Sequence, residues 1–390
     1  MSPRTLGLAL LAACPDPGDS TGTAPATTSI TTVPGSEGTS AGGTATGTSD
    51  VPTTQAETGV DPTTTAGTSS TGASSTTGAV DPDTTASTTT ADTTAASTTT
   101  NGDCSDQPAT PAGPEVVIAA EFAGVYSTFD LGQVPGIPPE ARLGGAIISI
   151  DDPNALLIAG FSEAANGMLY KIGVERGDCQ HIVAFSGVAE VVASTPYIDA
   201  NLLYVQSGLL FYPEWPVNNL SQLRPGSVAP DRTTAMAGVG VAQSISGIGF
   251  VPPGFADAGG MRALAWSGGQ WYHLDRTPDG DLFTVSNAVQ TATLAGGPGG
   301  FAYVPAGSPG FPAPNVIVAE WSVNTVGVYQ VDDQGDPMER TRKDFFTAFP
   351  RPWGAYFEPL TGDYLFLTWG AAMDRVYIVQ GFMPPPPIPG

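Results

Sequence analysis

From residue 115 onward, the chain repeats one pattern, and this repetition constrains the fold more than any other feature. Each copy is an apolar run, an aromatic residue, a turn of small or polar residues, and a second run that contains Tyr or Phe. The copies are EVVIAAEFAGVYSTFDLG, ALLIAGFSEAANGMLYKIG, MRALAWSGGQWYHLD, NVIVAEWSVNTVGVYQVDD, DYLFLTWGAAMDRVYIVQ and the weaker NLLYVQSGLLFYPEW. The aromatic place is filled by Phe122, Phe161, Trp266, Trp321 and Trp369, with Gln206 in the weaker copy. A unit that recurs about every 40–60 residues indicates a repeat architecture.

A second element precedes most copies: a Gly, alternating apolar residues and then a turn, usually with Pro, as in GAIISIDDP, GIGFVPPG, GFAYVPAG and GAYFEPLTG. These are strand and hairpin signals. Strand-rich units without a convincing amphipathic helix predict an all-β fold, a β-propeller. Six hairpin copies favour six blades. The first blade lacks an inner strand and the last an outer one, so five or seven blades remain possible, and a pair of β-sandwiches is the alternative architecture.

Residues 115–383 resemble the six-bladed propellers of secreted bacterial proteins, in the broad NHL/SMP-30-like class. The resemblance rests on the blade pattern and on elements such as GFAYVPAG, and there is no repeated Trp-Asp dipeptide to suggest WD40 repeats. Enzymes of the SMP-30 type hold a metal with acidic and Asn residues in the central channel. Those ligands do not map onto this chain, so the resemblance implies the fold and not the activity.

The first residues resemble a bacterial lipoprotein signal. Arg4 is followed by a short apolar segment and then by Leu11-Ala12-Ala13-Cys14, which is similar to a lipobox. Eight or nine apolar residues are too few to span a bilayer, so residues 1–13 are predicted to be a signal peptide. The resemblance implies that Cys14 is lipidated and becomes the mature N-terminus. An ordinary signal peptide with a chance cysteine is the alternative.

Residues 14–110 are dominated by Thr, Ser, Ala and Gly and show no apolar periodicity. This composition predicts a disordered tether with a root-mean-square span of roughly 50–60 Å. The propeller domain is assigned to 111–383, and a Pro-rich disordered tail to 384–390. Together these segments predict an exported protein, lipid-anchored in the cell envelope, at the outer membrane or cell surface rather than the inner membrane.

The net charge of −24 limits the classes of partner that the chain is expected to bind. A chain this acidic, without a basic cluster, repels phosphate backbones, which argues against nucleic acid. The predicted partners are the membrane, through the lipid, and an unknown protein, envelope polymer or small ligand.

Two further cysteines, Cys104 and Cys179, form an even pair in a chain predicted to be exported, which predicts a disulfide. Such a bond would join the end of the tether to the propeller. Two cysteines so far apart, with only His181 nearby, lack the spacing of a zinc site.

Candidate ligand-binding residues lie in the repeated hairpins. In a propeller these hairpins open on the same face as the blade-to-blade loops, so Trp266, Trp321 and Trp369 are predicted to line a shared pocket suited to sugar rings or apolar ligands. Glu121 and Glu320 stand just before the aromatic in two copies and are predicted on the same face. The alternative is that these aromatics wedge between blades as packing.

No catalytic motif is present. The sequence has no GxSxG, HExxH or P-loop pattern, and His181 and His273 are interpreted as strand surface residues. Acidic turns could bind calcium, but Asp and Gly are also what tight turns require; these are Asp151, Asp152, Asp279, Asp281, Asp332, Asp333 and Asp336. No other cofactor is predicted.

The leading functional prediction is therefore a binding or interaction module rather than an enzyme. The alternative is a metal-dependent propeller hydrolase or lactonase. A structural surface protein without a specific ligand is a further possibility.

Overall fold

The computed structural model describes residues 106–387. Within this range the chain forms 21 β-strands and three short 3-10 helices. The strands are β1 Val117–Ile118, β2 Ser127–Gly132, β3 Ala146–Ser149, β4 Asp152–Gly160, β5 Met168–Arg176, β6 Ile182–Ser194, β7 Leu203–Tyr204, β8 Leu210–Glu214, β9 Asn219–Leu223, β10 Arg232–Ala235, β11 Ile245–Phe250, β12 Met261–Ala265, β13 Gln270–Asp279, β14 Leu282–Thr293, β15 Pro298–Tyr303, β16 Asn315–Glu320, β17 Thr325–Gln330, β18 Lys343–Ala348, β19 Pro352–Phe357, β20 Tyr364–Thr368 and β21 Val376–Gln380. The 3-10 helices are Met236–Val239, Trp321–Val323 and Glu339–Thr341. None of the helices in the described range is long and apolar enough to span a bilayer.

The strands form an all-β propeller, as the repeats predict. The described residues build five antiparallel sheets, which we call blades 1 to 5 in chain order. Blades 1 to 3 are β3–β6, β7–β10 and β11–β14; blade 4 is β15–β18 with β1 added at its outer edge; blade 5 is β19–β21 with β2 as its outer strand. The described part of the chain therefore has five blades, a count the sequence left open, and not the favoured six.

The difference arises from the first repeat copy, EVVIAAEFAGVYSTFDLG, which does not build a blade of its own. Its first run supplies β1, which pairs with β18, and its second run supplies β2, which pairs with β21. In β2, Phe129 lies opposite Ile378, and Asp130 forms an ion pair with Arg375. This pairing covers the outer edge of β21 with a strand from the start of the domain and so closes the ring.

The weaker repeat copy is also divided differently. NLLYVQ contributes the inner strand β7, and LFYPEW contributes β8 and the hairpin after it. Trp215, and not Gln206, therefore fills the aromatic place of blade 2. Phe122 is in none of the five hairpins; its ring lies 5.1 Å from that of Phe311 and 5.0 Å from that of Phe345 in a buried cluster.

The apolar middle strands are buried on both faces, because each blade is covered by its neighbours. Every residue of β16 and β20 is buried. Leu156 and Ile158 of β4 share a buried cluster with Leu365 and Leu367 of β20, which joins blade 1 to blade 5.

The central channel is closed where the inner strands begin. Gly145, Gly247, Gly300 and Gly354 occupy one equivalent position in four blades, and Asn201 occupies it in blade 2. A Cβ on Gly247 would lie 2.7 Å from the carbonyl oxygen of Gly299, and one on Gly300 would lie 2.9 Å from that of Trp353. The crowded axis therefore admits one side chain at this level, that of Asn201.

Asn201, in blade 2, is hydrogen-bonded to three other blades. Its Nδ2 donates to the carbonyl oxygens of Ala355 (2.9 Å) and Phe301 (3.4 Å), and its Oδ1 accepts from the backbone N–H groups of Phe301 (3.1 Å) and Ile248 (3.3 Å). The amide is thus fully engaged with inner-strand backbone.

Several predictions concern the ends of the chain. Cys14 and the signal peptide, most of the tether, and Cys104 lie outside the described residues. Cys179 is disulfide-bonded, and its pairing with Cys104 remains a prediction. Asp106, two residues after Cys104, accepts a hydrogen bond from the Cys179 N–H, and its carbonyl accepts one from Gln380 Nε2 at 3.1 Å. Packing against the propeller therefore begins before the predicted boundary at residue 111.

Candidate functional site

Four hairpins between middle strands and the inner strand β19 bring five tryptophans together at one end of the channel. Trp266, Trp321 and Trp369 are the three that the repeats predict, and Trp215 and Trp353 join them. The ring centroids are separated by 5.8 Å for Trp215–Trp266, 5.9 Å for Trp266–Trp321, 5.7 Å for Trp321–Trp369, 6.2 Å for Trp321–Trp353 and 6.1 Å for Trp353–Trp369. We call this surface the tryptophan face.

The tryptophan face has a buried layer and a partly exposed layer. Trp353 is only 2% exposed, whereas Trp266, Trp321 and Trp369 are partly exposed. Most neighbouring rings meet edge to face, which orients some indole faces away from the cluster. The Nε1–H of Trp321 donates to the Trp369 carbonyl at 2.8 Å, whereas the Nε1–H groups of Trp266 and Trp369 are buried without an acceptor among residues 106–387.

Trp353 covers the mouth of the closed channel. It stands where the other blades carry Gly144, Ala200, Ser246 and Gly299. A Cβ on Gly299 would lie 2.7 Å from its indole ring, so this neighbour must be glycine. Its Nε1–H donates to Asp199 Oδ1 at 2.7 Å. The indole thus spans from blade 5 to the segment that precedes blade 2.

A pair of acidic residues lies beneath this layer. Asp199 is fully buried, and its Oδ2 has no hydrogen-bond partner within the described range. Burial, reinforced by the nearby charge of Glu163, raises the pKa of Asp199 well above its usual value. Burial also raises the pKa of Glu163 to about 8. At neutral pH Glu163 therefore favours its protonated form, in which it can donate a hydrogen bond or a proton.

Two arginines border the tryptophan face. The guanidinium of Arg351 lies 4.3 Å from the centre of the Trp321 ring and forms no ion pair with a described residue. Arg142 lies 6.0 Å from the Trp369 ring, donates to the Ala371 carbonyl and pairs with Asp374 at 3.6 Å. The face therefore combines aromatic surface and cations with the nearby carboxyl groups of Asp199 and Glu163.

The carboxylates of the two predicted glutamates are engaged in ion pairs and are not offered to this face. Glu320 is buried at the end of β16, where it accepts hydrogen bonds from Thr325 and Tyr329 and pairs with Arg342. Glu121 follows β1 at the outer edge of blade 4 and forms an exposed ion pair with Lys343 at 2.9 Å. The two are not equivalent. The counterpart of Glu320 is Glu214, which likewise binds the side chain opposite it in the next strand, Asn219, at 2.9 Å.

The two histidines contact aspartate carboxylates of neighbouring blades and do not lie on open strand surfaces. His181 Nδ1 is 2.6 Å from Asp363 Oδ1, a contact between blades 1 and 5, and this hydrogen bond raises the pKa of His181. His273 Nε2 is 2.6 Å from Asp336 Oδ2, a contact between blades 3 and 4. Neither histidine is on the tryptophan face.

The acidic turns use their carboxylates within the fold. Asp332 Oδ1 accepts the N–H groups of Gln334 and Asp336, which stabilises the turn. Asp336 in turn accepts from Arg262 at 3.0 Å and from Trp271 at 3.1 Å. Among residues 106–387, no group of three or more His, Cys, Asp or Glu side chains is arranged to hold a metal ion.

The metal that the SMP-30 resemblance implies can be tested against the channel residues. The one Asn at the channel axis, Asn201, has both its amide oxygen and its amide nitrogen bonded to backbone groups. The residues around it at this level are glycines. The described channel residues therefore do not fit a divalent cation.

Comparison with known proteins finds similar solved structures but no family. No family model matches the chain, and no curated protein matches it. Among solved structures, the chain is similar to a PQQ-bound aldose sugar dehydrogenase from Streptomyces coelicolor, at 13% identity and a TM-score of 0.39 over 70% of this chain and 96% of that one. It is also similar to a gluconolactonase from Xanthomonas campestris, at 12% identity and a TM-score of 0.38 over 70% and 98% of the two chains.

A third similar structure is an auxiliary nutrient binding protein from Bacteroides ovatus, at 9% identity and a TM-score of 0.37 over 65% and 76% of the two chains. The similar structures thus include both enzymes and a binding protein. At these identities the likeness concerns the fold alone.

Sequence reasoning located three tryptophans of the site and missed four other residues. Trp215 was missed because the weaker repeat was divided at the wrong place. When Trp215 is included, the aromatic places 161, 215, 266, 321 and 369 follow one another at intervals of about 50 residues, as a repeat requires. Trp353, Asp199 and Glu163 occur once each, outside the repeated pattern, so no periodic signal marks them.

Proposed function

We propose that the folded part of the chain is a binding module that holds a ligand containing sugar rings on the tryptophan face. The observation that supports this most is the continuous cluster of Trp266, Trp321 and Trp369 on the loop side of the propeller. Indole rings supply large, rigid apolar surface with a polar N–H at one edge. The C–H faces of a sugar ring pack on such surfaces, while its hydroxyl groups require nearby donors and acceptors.

The neighbouring polar groups suit such a ligand. The indole N–H groups of Trp266 and Trp369 have no acceptor among the described residues, and an unpaired buried donor costs about 1–3 kcal/mol. A modest rearrangement on binding would let hydroxyl oxygens accept from them. Arg351, without an ion-pair partner in the described range, adds donors for hydroxyl or carboxylate oxygens.

The proposal includes a location. Lipid on Cys14 and a tether of about 95 residues would hold the propeller within roughly 50–60 Å of a membrane of the cell envelope. An envelope polysaccharide is then the ligand class nearest at hand. Replacing Cys14 by Ser should release the protein from the membrane fraction; a Cys14→Ser protein that still sediments with membranes would contradict the anchor.

Binding can be measured through the site itself, because the tryptophans report on their surroundings. Oligosaccharides of glucose and of N-acetylglucosamine are titrated into the full chain while intrinsic fluorescence is recorded. We expect a saturable emission change that Trp321→Ala weakens about tenfold or more, a loss of about 1.4 kcal/mol. Trp271→Phe is the matched control, because Trp271 is fully buried elsewhere, against Phe301. Equal effects of both variants, or none from Trp321→Ala, would contradict the proposal.

A second candidate function is hydrolysis of a sugar lactone at the same face. The observation that favours it is Glu163, protonated near neutral pH because burial raises its pKa to about 8. As water adds to the lactone carbonyl and the ring C–O bond breaks, Glu163 would donate its proton to the departing oxygen and regain one from the attacking water. The acidic group, and not the distant structural likeness to lactonases, supports this candidate.

One pair of measurements distinguishes the two candidate functions. If the protein hydrolyses δ-gluconolactone, Glu163→Gln should lower the rate at least about a hundredfold and leave oligosaccharide binding unchanged. If it only binds, the full chain shows no turnover above the uncatalysed rate, and Trp321→Ala alone has an effect.

A further inference from the structure

The end of the channel opposite the tryptophan face opens into an apolar funnel. This cavity has a volume of about 400 Å³. Its walls come from the C-terminal ends of all five inner strands, one aligned residue each: Ile148, Tyr204, Phe250, Tyr303 and Phe357. Asn201 forms its floor.

The repeated inner-strand element explains why one end is closed and the other open. In GIGFVPPG, GFAYVPAG and GAYFEPLTG the first residue is Gly, the fourth is aromatic and Pro follows in the turn. The glycines let the five strands converge at the axis, and the large side chains hold them apart at the other end. Prolines of the turns, among them Pro252, Pro253 and Pro359, then form the rim.

The funnel offers a ligand no free charge. None of the described residues that line it is charged. The Tyr303 hydroxyl donates to the Gly335 carbonyl at 2.7 Å. With the Asn201 amide also engaged, the walls present mainly ring faces and aliphatic groups.

The Pro-rich end of the chain crosses the mouth of this funnel. Phe382 anchors the segment in the core, with its ring 4.3 Å from that of Tyr126 and 4.9 Å from that of Phe357. The Met383 N–H donates to Ser308 Oγ at 3.1 Å. Residues 385–387, three prolines in a segment predicted from sequence to be disordered, then line the cavity.

We propose that the funnel binds a small, uncharged, apolar molecule, of the size of two linked or fused rings, and that prolines 385–387 cover it. A cavity of this size lies in the usual range of small-molecule sites. A charged ligand would lose its hydration without gaining a partner, which costs several kcal/mol. An apolar ligand gains from burial alone. The site is separate from the tryptophan face and does not depend on its proposed function.

Two related fluorescent probes test the ligand class. N-phenyl-1-naphthylamine is uncharged, and 8-anilinonaphthalene-1-sulfonate carries the same rings with a sulfonate. Each is titrated into the full chain. We expect saturable binding of the uncharged probe near one equivalent and at least tenfold weaker binding of the sulfonate. Equal affinity for both probes, or no saturable binding, would overturn the proposal.

Four variants locate the probe and test the cover. Ala302→Trp places an indole in the cavity, and Leu203→Lys places a charge at its half-buried wall. Each should weaken binding of the uncharged probe at least tenfold. Leu203→Lys serves as the test if the Ala302→Trp protein fails to fold. Trp321→Ala, at the opposite end, should leave the affinity unchanged. Ending the chain after Pro384 should speed association at least threefold. Unchanged binding by a folded Leu203→Lys protein overturns the site, and an unchanged association rate overturns the covering role.

Discussion

The indole nitrogen of Trp353, in blade 5, donates a 2.7 Å hydrogen bond to Oδ1 of Asp199, which precedes the inner strand of blade 2. This contact crosses the closed mouth of the channel and links two blades that are not neighbours along the chain. It also places a buried carboxyl group directly beneath the tryptophan face. The face and the channel are therefore one connected structure.

Trp353→Phe should destabilise the fold by about 2 kcal/mol, because it removes the donor to a fully buried carboxyl group. Asp199→Asn keeps an oxygen acceptor at nearly the same position. Since burial raises the pKa of Asp199 and so disfavours its charged form, this variant should cost less than about 1 kcal/mol. Denaturant midpoints of the two variants test the prediction. A larger loss for Asp199→Asn than for Trp353→Phe would indicate a charged carboxylate and contradict it.

The acidic pair also predicts how stability varies with pH. The pKa of Glu163 in the folded protein, about 8, lies above its usual value of 4.5. Its contribution to stability is therefore fully present below about pH 4.5 and is lost as the pH rises toward and through 8. Glu163→Gln should remove part of this decline, so its melting temperature should fall less than that of the parent between pH 6 and 9. Parallel curves for the two proteins would contradict the raised pKa.

Asn201→Ala should be among the most destabilising single changes, at about 3 kcal/mol or more. It leaves the backbone N–H groups of Ile248 and Phe301 and the carbonyl of Ala355 without their side-chain partner in a buried site. Gly300→Ala should also destabilise the fold, because its Cβ would lie 2.9–3.0 Å from backbone oxygens. Gly124→Ala is the matched control, since its Cβ would meet no atom within 4 Å. Denaturant unfolding of the three variants should rank them in this order, with Gly124→Ala near the parent.

The fold class was predictable because each middle strand repeats a local pattern, whereas the number of blades was not. The run that forms β2 looks like the other hairpin strands, but its partner, β21, lies about 250 residues away. A local pattern carries no information on such a pairing. Three tryptophans of the site were predictable for the same reason as the strands: Trp266, Trp321 and Trp369 recur at one place in the hairpin.

The remaining site residues depart from the repeat, and departures are visible only once the copies are aligned correctly. Asn201 stands where four blades have Gly, and Trp353 where the others have Gly, Ala or Ser. Aligning NLLYV with GIGFV and GFAYV would have exposed both the exception and the true hairpin of blade 2. Burial of Asp199 and Glu163 depends on loops from two blades meeting, which sequence spacing does not report.

The disulfide pairing of Cys104 with Cys179 stays a prediction that reduction can test. The closed loop of about 75 residues would stabilise the fold by about 4 kcal/mol in the chain-entropy model. Dithiothreitol should therefore lower the melting temperature of the full chain and leave that of Cys104→Ser unchanged. If the Cys104→Ser protein responds to reductant as the parent does, Cys179 is bonded to another cysteine.

The ion pair between His181 and Asp363 predicts a second, separate pH dependence at the contact between blades 1 and 5. The hydrogen bond to Asp363 raises the pKa of His181, so its stabilising contribution is present below the unfolded pKa of about 6.5 and is lost as the pH rises through the higher folded value. His181→Gln should therefore lower stability by about 1 kcal/mol at pH 5.5, a figure reduced for partial exposure, and by much less at pH 9. Gln180→Ala, an exposed neighbour, should change neither. Denaturant midpoints at the two pH values test this prediction. An equal loss of stability at both would mean that the contact stabilises the fold whether or not His181 is protonated.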